Sequence, residues 1–296
     1  MKSALLAAAM IGGCLNGVGI DDPYDTGPLA PSKIRYLCIG MENSERFGEC
    51  IGCENDARRL SSLMKDRYGY PGDTLISSQA TKDRVVRFLR NGIENTPDDG
   101  LFLFFYSGHG GQEWLGGKEP GGADAKDEYL CLYDSHMLDD EIWDIVSRCR
   151  GRVFLYFDAC HSATMYRSVS YELKAKSRKP GRAEPMGLSP NDIITSSGFT
   201  FRPENLVKAG AMSADGNSSP CPRILCWSGC RETEYSYGGR KGGYLTLAVL
   251  NSWEKGKTYS ELWKEASAWV KKIEPDQNPV QTYVGDGFQE TMEVFR

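Results

Sequence analysis

Histidine is scarce in this chain: three residues among 296. Any imidazole chemistry must therefore use one of very few positions. Long hydrophobic runs are absent too. The longest N-terminal stretch, Ala4 to Ile11, is too short to cross a bilayer as a helix. A positive charge balance is lacking: the net charge is −5 and the pI near 5.4, so nothing in the overall field attracts nucleic acid or an anionic membrane. A nucleic-acid partner is not expected. No internal repeat is visible, which excludes solenoid and propeller architectures. Cysteine, by contrast, is plentiful, with ten residues. The cysteines do not sit in a short, loop-rich disulfide frame. Several interrupt apolar runs, such as Cys38 after Tyr36-Leu37 and Cys226 between Leu225 and Trp227, where a thiol behaves as a small buried hydrophobe.

A reducing, cytoplasmic setting is the simpler expectation. The N-terminus offers an alternative: Met1-Lys2, the apolar stretch and Gly12-Gly13-Cys14 resemble a compressed bacterial lipoprotein signal anchored through Cys14, with Leu15 to Lys33 as a tether. Residues 1–33 are accordingly set apart as an N-terminal extension. Cys50 and Cys53 with Cys226 and Cys230 mimic a zinc pattern, but the pairs are far apart and interleaved with apolar residues.

From Ile34 the chain alternates strands and helices. Leu101 to Tyr106 and Val153 to Phe157 are unbroken apolar runs, as expected of strands covered on both faces, and Ile34 to Gly40 reads as a short buried strand ending in glycine. Tyr129 to Tyr133 and Ile224 to Trp227 are shorter strand candidates, and Val280 to Val284 is a last one. Ala57, Leu60, Leu63, Met64 and Tyr68 recur at helical spacing. Thr81 is placed to cap a second helix burying Val85, Phe88 and Leu89, and Asp139-Asp140 opens a third burying Ile142, Ile145 and Val146. Two more helices are expected around Tyr244 to Trp253 and Thr258 to Lys272. The pattern predicts an α/β sandwich with a mainly parallel sheet. Only Ala163 to Pro222 lacks periodicity, as a functional or mobile segment would.

Two of the three histidines fall where these strands end. Leu101–Tyr106 runs into Ser107-Gly108-His109-Gly110-Gly111, and Val153–Phe157 into Asp158-Ala159-Cys160-His161-Ser162. The carboxyl ends of parallel strands are where open α/β sheets build their sites. A thiol beside an imidazole ionises near neutral pH, and the thiolate is the attacking species. Cys160 is thus the expected nucleophile and His109 its base, with His161 a rival placed less well because it follows Cys160 directly.

These paired motifs, 51 positions apart from His109 to Cys160, resemble those of metacaspases and their bacterial relatives, the orthocaspases. The Gln-Ala-Cys signature of true caspases is absent. The resemblance covers Ile34 to Tyr166, and more loosely Arg223 to Val284 through Cys226–Arg231 and Gly242-Gly243-Tyr244-Leu245-Thr246. It implies a caspase-like three-layer α/β sandwich: a large-subunit-like part over 34–170, a linker over 171–222 and a small-subunit-like part over 223–296. It also implies an oxyanion hole from the backbone N–H groups of Gly110 and Cys160. The family cuts after Arg or Lys, and its basic-specific pocket maps onto Cys53, Asp56, Ser107 and Asp158. A carboxylate pair suits guanidinium, although Asp56 is also explained as a charge at a helix N-terminus. The expected partners are therefore protein or peptide substrates with Arg or Lys at the cleaved bond, and the expected state is a monomer. Chemistry needs no cofactor. Calcium, an activator of many metacaspases, would use Asp127, Asp139 and Asp140, though Arg167 stands where the family has a further acid. The basic cluster Lys174, Lys176, Arg178, Lys179 and Arg182 is either a solvated loop or a self-cleavage segment. A catalytically silent, peptide-binding scaffold on the same fold is the alternative.

Overall fold

The computed structural model describes residues 32–114, 126–161, 194–197, 223–231, 234–289 and 291–296. Residues 1–31 of the extension, Cys14 among them, Arg167 and the Lys174–Arg182 cluster lie outside these residues. So do the side chains of residues 112–114, 126–127, 160–161 and 194–197.

The chain begins with β1 (Ile34–Gly40), α1 (Cys53–Ser62, continued by a π-helical turn over Leu63–Arg67), β2 (Gly72–Ile76), α2 (Lys82–Glu94) and β3 (Leu101–Trp114). A hairpin of β4 (Lys126–Cys131) and β5 (His136–Leu138) leads to α3 (Asp139–Val146) and β6 (Arg152–His161). Then come β7 (Ile194–Ser197), β8 (Arg223–Ser228), β9 (Tyr235–Gly239), β10 (Gly242–Gly243), α4 (Tyr244–Ser252), α5 (Tyr259–Ile273) and β11 (Val280–Val284). The main sheet has the order β11-β8-β6-β3-β1-β2, with β4 and β5 extending from β3. Strands β8, β6, β3, β1 and β2 are parallel, while β11 and the hairpin are antiparallel. A small second sheet joins β10, β9 and β7.

The unalternated apolar runs are explained by two cores. On one face Tyr36, Cys38, Leu103, Phe105, Phe154, Tyr156 and Trp227 pack with residues of α1, α4 and α5. On the other, Leu37, Ile39, Phe102, Phe104, Leu155 and Phe157 pack with α2 and α3. Successive strand residues serve opposite faces, so a strand covered on both sides must be apolar throughout. The result is the expected three-layer sandwich.

Three local expectations change. Thr81 occupies the cap position of α2 but makes no capping bond with its side chain; the Lys82 N–H donates instead to Asp134 Oδ1 at 2.9 Å. The segment between Ala163 and Pro222 is not uniformly irregular, since β7 lies within it and pairs with β9. Finally, β3 and β6 do not stop before the reactive motifs. Beyond Tyr106, β3 continues through His109, paired to β6 as far as Gly110 and to β4 from Gly110 onward. His109 therefore sits in a strand, held by its ladder, rather than in a loop.

Candidate active site

Chain order reverses direction at β1: β2 lies on one side of it and β3 on the other. Open sheets form their crevice at the carboxyl end of such a switch point. The loop after β1, the start of α1 and the carboxyl halves of β3 and β6 all converge here.

The register of β3 and β6 brings the two sequence motifs together. Ser107 pairs with Asp158, Gly108 with Ala159, His109 with Cys160 and Gly110 with His161. Residues 51 apart in sequence thus become neighbours one strand spacing apart, about 4.8 Å. The side chains of Cys160 and of the rival base His161 lie outside the described residues.

His109 is held from the β1–α1 loop, where its Nε2 lies 3.0 Å from the Glu49 carbonyl oxygen. A carbonyl only accepts, so the proton of the neutral imidazole belongs on Nε2 and Nδ1 is left as the proton acceptor. Among the described residues Nδ1 is buried without a hydrogen-bond partner. Burial lowers the His109 pKa and so favours the neutral, basic ring, while the hydrogen bond to the Glu49 carbonyl opposes this in part. The arrangement is that of a base oriented by a third group.

Beside it lies a buried acidic pair. Asp56 from α1 is fully buried, and its Oδ2 accepts from Ser107 Oγ and from the Gly243 N–H, each at 2.8 Å. These partners lie on other elements, so the carboxylate is not spent on its own helix terminus. Asp56 Oδ1 is buried and has no partner among the described residues. Asp158 from β6 is also buried. Its Oδ1 accepts from Ser236 Oγ at 3.0 Å, and its Oδ2 from the N–H and Oγ1 of Thr246, each at 2.7 Å. Burial raises the pKa of both carboxyls; for Asp56, repulsion from Asp158 adds to the rise. The Cys53 thiol is pushed up by its hydrogen bond with Cys50 and by burial, and eased down by the nearby Ser107 hydroxyl. Of the residues expected to form the pocket, Ser107 is thus hydrogen-bonded to Asp56 and Asp56 is coupled electrostatically to Asp158, with Cys53 near Ser107.

Strand β10 closes over this pair. A Cβ on Gly242, whose φ is +123°, would fall on the Asp56 carboxylate, and one on Gly243 on that of Asp158. Two consecutive glycines let backbone lie directly against two buried carboxylates.

Several participants had no sequence assignment. Ser236 and Thr246 fix Asp158, and Gln277, fully buried, donates from Nε2 to Ser236 Oγ at 3.1 Å and to the Gly229 carbonyl at 2.8 Å. Only Gly242–Thr246 had a signal, in the loosely matched C-terminal motif. The Glu49 role rests on a backbone carbonyl, for which residue type carries no signature.

Of the residues expected to hold calcium, only Asp139 and Asp140 have described side chains. Asp139 and Asp140 begin α3, where Asp139 Oδ1 accepts from the Asp140 N–H at 3.0 Å. Asp127 lies on β4 with its side chain outside the described residues. Among the described residues no three His, Cys, Asp or Glu side chains assemble into a metal-binding group, the zinc-like cysteines included. Calcium enters no step below.

Comparison with known proteins agrees with this fold. A caspase-domain profile matches residues 35–284. Metacaspase-1A of Aspergillus fumigatus is 28% identical over 253 residues, covering 75% of this chain and 60% of that protein. Metacaspase-1 of Debaryomyces hansenii is 24% identical, covering 83% and 66%. The chain therefore spans less than two thirds of the length of these relatives. Among solved structures, protein GSU0716 from Geobacter sulfurreducens superposes with a TM-score of 0.61 at 25% identity, covering 88% of this chain and 97% of that one. Caspase-1 from Spodoptera frugiperda shares the fold at 12% identity, with a TM-score of 0.51 over 85% of this chain and 86% of its own.

Proposed function

The chain belongs to the caspase-domain family, and from that premise we propose that it is a cysteine endopeptidase cleaving after Arg or Lys. The observation that carries the specificity is the buried pair Asp56 and Asp158, with Asp56 Oδ1 unpartnered among the described residues. Two buried carboxylates that raise each other's cost of ionisation gain most from a cation. A guanidinium or ammonium group entering between them supplies donors and charge together, whereas an aspartate side chain would add a third negative group.

In the proposed reaction, His109 Nδ1 takes the Cys160 thiol proton while Nε2–H stays on the Glu49 carbonyl. The thiolate attacks the carbonyl carbon after the basic residue. The oxyanion is met by the N–H groups of Gly110 and Cys160, which the register of β3 and β6 sets on adjacent strands. His109 returns the proton to the leaving amine, and then activates water to release the acyl group. Self-cleavage within the linker, at the basic cluster Lys174 to Arg182, follows from the same specificity and belongs to this proposal.

Fluorogenic peptides ending in Arg, Lys or Asp, with and without calcium, test the reading. Wild type should cleave the Arg and Lys peptides, and Cys160→Ala none. Cleavage by Cys160→Ala equal to wild type would reject Cys160 as nucleophile. A Cys160→Ala chain that still separates into two fragments would reject self-processing.

A further inference from the structure

Cys50 and Cys53 flank the dipeptide Ile51-Gly52 at the start of α1, within the β1–α1–β2 unit. A Cys-x-x-Cys step beside such a βαβ unit is the pattern of a redox dithiol. Both are reduced thiols, and their sulfurs lie 2.8 Å apart in a hydrogen bond from Cys53 to Cys50. At 7% and 6% exposure they are also more accessible than the other cysteines whose side chains are described, which range from 0% to 3%. The peptidase mechanism uses neither sulfur as a nucleophile.

We propose that Cys50 and Cys53 form a reversible disulfide, and that closing it weakens the orientation of His109. The oxidant class is a low-molecular-weight disulfide such as oxidised glutathione. One Cys sulfur attacks it, the second displaces the mixed disulfide, and the Cys50–Cys53 bond forms as the oxidant's S–S bond breaks. Two electrons and two protons leave the protein, and two molecules of the small thiol are released. A disulfide is about 2.05 Å long, so the sulfurs must approach by about 0.8 Å.

The movement falls on Cys50. Cys53 is built into α1, which is anchored through Ala57 and Leu60 in the core. Cys50 is on the loop, held by its N–H to the Glu42 carbonyl at 2.7 Å. The preceding residue is Glu49, whose carbonyl holds His109 Nε2. Pulling Cys50 toward the helix lengthens that contact. Loss of one orienting hydrogen bond corresponds to about a fivefold drop in rate.

The activity part of this inference rests on the peptidase reading; the thiol part does not. The full chain carrying Cys160→Ala, equilibrated in glutathione buffers from reduced to oxidised, is mapped by alkylation and intact mass. Cys50 and Cys53 should become unreactive together, the chain two hydrogens lighter, and both should recover on reduction. Thiols that stay alkylatable, or that carry separate glutathione adducts, overturn the disulfide. The imidazole resonances of His109, identified by loss in His109→Gln, report the coupling without activity. They should titrate differently in the oxidised and reduced protein, and an unchanged titration overturns the coupling. For activity, oxidised buffer should inhibit wild type about fivefold more than Cys50→Ser, because modification of Cys160 is common to both. Equal inhibition overturns the regulatory role. A wild type inactive even when reduced rejects the peptidase reading while the thiol map and titration still decide the disulfide.

Discussion

Asp56→Asn removes one charge from the acidic pair while keeping its shape. The asparagine oxygen can still accept from Ser107 Oγ and the Gly243 N–H, where Asp56 Oδ2 now does. Its amide nitrogen then occupies the site of the unpartnered Oδ1, and presents donors where a guanidinium needs acceptors. A hydrogen bond to a charged group is worth about 1.5–3 kcal/mol, so kcat/KM for Arg peptides should fall about 10- to 150-fold. The unliganded protein should respond in the opposite sense. Asp56 has a raised pKa in the folded state, so above its unfolded value of about 3.9 the native chain holds a proton that the unfolded chain releases. Stability therefore falls as pH rises from there through the elevated folded pKa, by about 1.4 kcal/mol per unit of elevation. Asparagine has no such titration. Urea unfolding of Cys160→Ala with and without Asp56→Asn should show the asparagine chain more stable at pH 7, with a shallower loss between acid and neutral pH. Unchanged Arg cleavage together with a destabilised Asn variant would refute the claim that Asp56 is a cation-binding carboxylate.

Other perturbations read neighbouring parts of the site. Ser236→Ala removes the donor to Asp158 Oδ1 and an acceptor of Gln277; it should destabilise by about 1–2 kcal/mol in urea titrations and push the Asp158 pKa further up. Because burial lowers the His109 pKa, activity should persist below the ordinary imidazole range as pH falls, and an acid limb of kcat/KM at or above 6.5 would contradict the buried base. Leu103→Ala, at a position with no exposed surface between β1 and β6, should cost about 2–5 kcal/mol in chemical denaturation without changing Arg-over-Asp preference.

What the sequence disclosed follows from which forces write themselves into residue type. β3 and β6 were legible because strands buried on both faces must be apolar throughout, β1 and β8 nearly so, and the expected bounds of β1 and of the half-buried edge strand β11 coincide with those observed. β2 begins Gly-Asp-Thr at the sheet edge and offers no such run. β10 is two glycines that lie against carboxylates, and β9 ends in two glycines, Gly238 packing on the β10 backbone, so neither writes an apolar run. The Cys–His motif was visible as residue type, and the β3–β6 register explains its long separation. That the strands run on through His109 was not visible, since glycines flanking a histidine look like a loop. The resemblance supplied the pocket residues; Ser236, Gln277 and the Glu49 carbonyl came only from the packing that brings distant backbone and side chains into hydrogen-bonding range.

Covalent capture tests nucleophile and pocket in one measurement. A peptide ending in an arginyl halomethyl ketone, and its aspartyl counterpart, are reacted with the intact protein, and the labelled residue is located by mass spectrometry. The account predicts alkylation at Cys160 by the arginyl reagent, much slower capture by the aspartyl one, and slower arginyl capture in Asp56→Asn. Labelling at a different cysteine, or equal rates for the two reagents at Cys160, would contradict it.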